Sequence, residues 1–186
     1  AGRSGIKFRF VIGTNGGQQI GNQGFAFDNV HIAERTKRSV LEHFTSSADG
    51  ASRSADEKVD GYFDENSNDV IDIQYHMSYA GTDLMNANNP DPASNRAGDL
   101  GVAQVPFAVL DGGVEAGHRY DFSGPDQVPG SDELKLLSLE IPLFDLDLTV
   151  DWHAGSLEAT AGIICNANGF TSSVQLYMVV VETSVT

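Results

Sequence analysis

Five histidines, one cysteine and several acidic clusters are the side chains of this 186-residue chain with chemistry to offer. His31, His43, His76, His118 and His153 never stand in an H-x-x-x-H or comparable spacing, so no helical zinc site is encoded. His43 and His76 fall on neighbouring expected strands and could meet near Asp49 as an acid/base pair or a partial metal site; the plainer reading is two satisfied structural residues. Asp49 and Ser52, separated by Gly50 and Ala51, stand at the start of an expected helix. There a carboxylate or hydroxyl serves as an N-cap and a partner for the helix dipole. Cys165 is the only cysteine, which excludes an intrachain disulfide and a cysteine metal cluster. Its setting in residues 162–166 (GIICN) predicts a buried, inert thiol. No G-x-S-x-G elbow supports a hydrolytic serine.

The acidic residues point weakly towards calcium. Asp83, Asp91 and Asp99, with the Asn-rich residues 86–95, offer hard oxygen ligands but not the EF-hand spacing. Residues 64–68 (DENSN) come nearer, yet Asp69 stands where the loop needs glycine and Tyr75 where it needs a bidentate glutamate. They read as a polar turn. Structural calcium is the one ion this composition leaves open; no other cofactor and no defined metal site is expected. The Gly-rich residues 13–24 fit neither a dinucleotide fingerprint nor a P-loop and read as a hairpin loop.

Strands and helices must position these groups. Residues 6–13 (IKFRFVIG) alternate apolar and polar, and residues 24–34 (GFAFDNVHIAE) set Phe25 and Phe27 on one face, so a hairpin is expected with Phe8, Phe10, Phe25 and Phe27 as its apolar faces. A two-stranded hairpin is marginal alone and needs a surface to pack on. A β-α-β pattern follows: a buried strand at 40–44, a helix at 52–66 with Ser52 and Ser54 as candidate caps, and a strand at 69–75. Residues 91–99 predict a short helix opening near Pro92, and 105–111 a third strand ended by Gly112 and Gly113. Residues 117–130 read as a loop and 132–139 as a short helix. An antiparallel meander over 143–152, 157–166 and 174–182 closes the chain, with Asp145, Asp147 and Asp151 on its wet face.

Bulk properties narrow the partners. The formal net charge of -15 argues against nucleic acid, which needs clustered Lys and Arg, and against anionic membrane surfaces. Its simplest service is solubility. No apolar run approaches the length of a transmembrane helix, and no signal-peptide pattern opens the chain, so a secreted protein would be seen here already processed or as a fragment.

Residues 40–113 resemble the thioredoxin-like domains of secreted bacterial surface and outer-membrane proteins. The matching pieces are Leu41-Glu42-His43-Phe44-Thr45, residues 69–76 (DVIDIQYH), Arg96, and residues 101–106 (GVAQVP) before the strand at 107–113. The resemblance implies an α/β fold: a thioredoxin-like core with an antiparallel β-rich C-terminal extension. It implies a cis bond at Pro106, and it places the family's attacking and resolving cysteines at Asp49 and Ser52. Asp and Ser supply neither a thiolate nor a resolving thiol. Residues 6–34 resemble the closing strands of MAM-like jelly-roll domains, which makes residues 1–36 an incomplete β domain and 37–186 the thioredoxin-like domain. Such sandwiches commonly need about eight strands, and two are present.

These features together predict a non-enzymatic interaction or structural module, extracellular or at the cell surface, with the outer membrane or periplasm as alternative. Its partners are other protein chains, including identical subunits in a repeating assembly, met by β-augmentation along the N-terminal strands. The alternative is an enzyme of the same superfamily, thiol-disulfide or metal-assisted, working from a non-standard site.

Overall fold

The computed structural model describes residues 9–11, 35–79, 81–125 and 127–181. The chain divides into two units, Ala1–Ala33 and Glu34–Thr186. Of the first, residues 9–11 are described; they are exposed and not in a strand. Phe8, Phe25, Phe27 and His31, with most of the expected hairpin, lie outside the described residues.

The second unit is α/β, with a mixed sheet and a separate antiparallel hairpin. Strand β1 (Ser39–Thr45) is almost wholly buried, as a central strand covered on both faces must be. It pairs in parallel with β2 (Val70–His76), from Ser39 opposite Val70 to Thr45 opposite His76, across the helix α1 (Gly50–Asn66). On its other side β1 pairs antiparallel with β3 (Phe107–Leu110), which pairs with β4 (Arg119–Tyr120); the order is β2-β1-β3-β4.

Alternation along the strands sorts two cores. Leu41, Val70, Ala108 and Leu110 face Val59 and Tyr62 of α1 and Leu134 of α4 (Ser131–Leu137). Phe44 and Val109 face Ala93 and Ala97 of α3 (Pro90–Leu100), with Met77 and Val102. A short α2 (Leu84–Asn88) precedes α3. Helix α3 opens on Pro90 and ends at Gly101, whose φ of 64° places it in the left-handed region that glycine tolerates best.

Strands β5 (Phe144–His153) and β6 (Ser156–Cys165) form the second sheet, turning through Gly155 at φ 85°. Opposite residues of an antiparallel pair share a face. Phe144, Leu146, Leu148, Val150 and Trp152 are therefore joined on one side by Cys165, Ile163, Ala161, Ala159 and Leu157. Asp145, Asp147, Asp151 and Glu158 lie on the other.

Several expectations are corrected. Helix α1 starts two residues before 52 because Asp49 caps it, so Ser52 lies inside the first turn instead of at the cap. Helix α2 and strand β4 were not expected: the first is a single turn held by Asp83, the second two residues long, and neither is long enough to show a period. Residues 174–181 form no strand. They run instead past α3, where the Arg96 guanidinium sits 4.8 Å from the Tyr177 ring centre. Cys165 is exposed at the end of β6, opposite Phe144, whose ring meets Phe170 edge-on at 5.1 Å. No helix among the described residues is long and apolar enough to cross a membrane.

Candidate functional site

The C-terminal ends of β1 and β2 meet the N-terminus of α1, and the titratable groups gather there. Asp49 is extended at φ -111°, ψ 125°, leaving its side chain free to fold back over the first turn. Its Oδ2 accepts from the Ser52 backbone N–H at 2.8 Å and from Ser52 Oγ at 2.9 Å. Ser52 is fully buried. Asp49 and Ser52 are thus together, each occupied by the other.

The Val105–Pro106 peptide is cis. Pro106 is buried and immediately precedes Phe107, the register partner of Phe44, so it sits beside the end of β1. The loop of residues 46–49 leaves β1 at that point.

His43 and His76 share the α1 face of the sheet, His43 opposite Gln74 and His76 opposite Thr45. Each turns to its own carboxylate. His43 Nε2 lies 3.2 Å from Asp56 Oδ1, but the alignment is poor and neither nitrogen of this buried ring makes a hydrogen bond. Thr45 Oγ1 donates to the same Asp56 oxygen at 2.7 Å. Burial opposes ionisation of Asp56, yet the His43 ring and the Thr45 hydroxyl hold its carboxyl below the ordinary range.

His76 Nδ1 stands 2.9 Å from Asp83 Oδ2, which also accepts the Ser47 N–H at 2.7 Å. Asp83 Oδ1 accepts the N–H groups of Met85 and Asn86, capping α2. Burial acts to raise this carboxyl, but the Ser47 N–H, His76 and the Asn86 N–H outweigh it and hold Asp83 far below the usual carboxylate range. An ionised carboxylate only accepts, so His76 carries a proton on Nδ1 and keeps Nε2 for a second partner. Asp83 is therefore a buried structural anion, and its oxygens are spent on four donors. As a calcium ligand, which its acidic neighbourhood suggested, it has no lone pair in reserve. Among the described residues no three His, Cys, Asp or Glu side chains are arranged to hold a metal ion.

Asp72, on the same face, has an unpartnered buried Oδ1. Burial pushes its carboxyl up to about 6; the nearby His43 works against the shift, Asp60 and Asp56 with it. His118 is buried with Nε2 3.3 Å from Glu133 Oε1, and exposed His153 lies 3.5 Å from Glu158. Cys165 belongs to the other sheet.

On the opposite face, Glu42 receives Arg96 through two bonds, Nε to Oε1 at 2.6 Å and Nη2 to Oε2 at 2.7 Å. Tyr75 donates to Glu42 at 3.3 Å, and burial, with Glu42 next to it, raises the phenol to about 12. This pair floors a cavity of about 630 Å³ between β1, β2, α3 and residues 177–180. In the sequence, Arg96 and Glu42 stand out only as parts of the resemblance to thioredoxin-like domains. Asp83 had a local signal in the Asp-x-x-Asn start of a helix; the Glu42–Arg96 pairing, 54 residues apart, had none.

No family model matches this chain, and no curated protein does. Among solved structures, an X-ray crystal structure of an Agrobacterium tumefaciens protein, a structural-genomics target, is similar over 72% of this chain with 20% sequence identity and a TM-score of 0.41. The present chain spans 58% of the length of that one.

Proposed function

We propose that this chain is a non-catalytic interaction module built on a thioredoxin-like scaffold without its redox centre, acting outside the cell or at its surface. The observation that carries the reading is the Asp49–Ser52 pair. Where the family's two thiols would stand, a carboxylate is bound to a backbone N–H and a hydroxyl of the same helix turn. That arrangement holds a helix together and offers no nucleophile for disulfide exchange. The parallel β1–α1–β2 unit, the antiparallel β3 and β4 and the cis bond before β3 support the scaffold assignment. In this reading the strands expected over residues 6–34, with Phe8, Phe10, Phe25 and Phe27, meet another protein chain.

A disulfide-reduction assay tests the reading. The protein as it stands is expected to show no turnover above buffer with dithiothreitol as reductant. The Asp49→Cys/Ser52→Cys variant is expected to form a disulfide and gain activity. Turnover by the unaltered protein overturns the reading. Deleting residues 1–34 is expected to weaken association with the partner chain, and association unchanged by the deletion removes the N-terminal strands from it.

A further inference from the structure

We infer that the cavity between the sheet and α3 binds a small organic cation, an ammonium group carried on an apolar, ring-containing body. The inference goes beyond the reading above and does not rest on it: none of Asp49, Ser52 and Pro106 lines this cavity.

Size and walls suit a small molecule. The volume of about 630 Å³ falls inside the range of about 300–1,000 Å³ that such sites occupy. Val40 and Glu42 come from β1, Ile73 and Tyr75 from β2, and residues 177–180 close the far side. The α3 wall is Pro92, Asn95, Arg96 and Asp99, spaced i, i+3, i+4 and i+7, which is one helix face. Tyr75 stacks on Phe44 at 5.0 Å and Tyr177 meets the Arg96 guanidinium, so both phenol rings are held before a ligand arrives.

Charge selects the ligand. Glu42 and Arg96 neutralise each other through two hydrogen bonds. Asp111 is spent on the Val40 N–H, the Ser39 hydroxyl and the Lys37 ammonium. Asp99 differs. Among the described residues its carboxylate has neither a hydrogen bond nor an ion pair, and the last turn of α3 holds no basic side chain. Arg119 bonds the Leu100 carbonyl and does not line the cavity.

The cavity thus carries one uncompensated negative charge, in a protein whose net charge of -15 draws cations towards it. Tyr75 adds an acceptor: its proton goes to Glu42, which leaves lone pairs on the phenol oxygen for an ammonium N–H. A carboxylate ligand would meet Asp99 with the same sign. Its one cation among the lining residues, Arg96, is already held by Glu42.

Isothermal titration of the full chain with tryptamine, tryptophol and indoleacetate tests this, since the three probes share an indole and differ in charge. Tryptamine is expected to bind about fivefold more tightly than tryptophol, the ratio one solvent-facing ion pair supplies, and indoleacetate most weakly. Asp99→Asn is expected to bring tryptamine and tryptophol within about twofold of each other. Asp99 is exposed, so this variant is expected to keep the fold, which circular dichroism checks. Ile73→Trp, filling the cavity from β2, is expected to weaken all three probes by roughly tenfold. Asn95→Trp does the same from the exposed α3 wall and serves if the β2 variant misfolds. Thr149→Lys, on the separate hairpin, is expected to change nothing. Failure of tryptamine to bind at millimolar concentration overturns the inference, as does equal affinity for the three probes. Tighter binding of indoleacetate overturns it in favour of an anion on Arg96. Binding that survives both filling variants places the probe elsewhere and overturns it too.

Discussion

At the scale of the residue, the difference between Asp83 and Asp72 is one of supply. Both lie on or near β2 and both are largely removed from water. Asp83 receives four donors and stays ionised; Asp72 has an unpartnered oxygen and acidic neighbours on α1, and its carboxyl is pushed up to about 6. A folded-state value above the unfolded one means that the folded protein binds the proton more tightly. The stability associated with protonated Asp72 is therefore complete below about pH 4 and is lost as pH rises through about 6. Asp72→Asn is expected to stabilise the protein by roughly 1–2 kcal/mol at pH 8, after discounting for partial exposure, and to change little at pH 4. Urea unfolding at the two pH values checks this. Equal effects at both would show that the charge is not the cause.

Among the elements, α1 depends most visibly on one side chain. Asp49 satisfies an orphan N–H and also the hydroxyl of buried Ser52, so its removal leaves a buried donor without a partner. Asp49→Ala is expected to cost about 1–2 kcal/mol in a urea titration, and Asp49→Asn, which can still accept, clearly less. Helix and strand were readable here because each leaves a local pattern: period 3.6 in residues 52–66 and a buried apolar run at 40–44; the Asp49 cap set the helix start two residues ahead of the expected one. The hairpin strands were readable too, from strict alternation over residues 144–152. The expected strand over 174–182 shows the limit of that signal. An alternating apolar run says that a segment can be a strand; what it lies against decides whether it is one, and residues 177–180 line the cavity beside Arg96 and form no ladder.

For the whole molecule, the Glu42–Arg96 pair ties the sheet to α3, and Tyr177 extends the tie to the C-terminal segment. Glu42 is 4% exposed. Arg96→Ala would strand that charge in a protein interior and is expected to cost about 3–5 kcal/mol, whereas Glu42→Gln/Arg96→Met, which removes both charges, is expected to recover most of the loss. Chemical denaturation of the two variants distinguishes a buried-charge penalty from simple loss of packing; equal destabilisation would favour packing. The pairing joins residues 54 apart in sequence, and nothing in the composition of either segment announces it.

The sequence by itself determined the element types of the core, the absence of a thiol at Asp49 and Ser52, and the net charge. These follow from side-chain period and chemical identity, which are local properties. Tertiary structure decided which histidine met which carboxylate, that Asp83 was a structural anion, that Cys165 was exposed, and that Leu146, Leu148 and Trp152 of the hairpin were largely exposed. Those outcomes depend on which surfaces come within a few ångströms of each other, and burial and hydrogen bonding act on that distance whatever the separation along the chain.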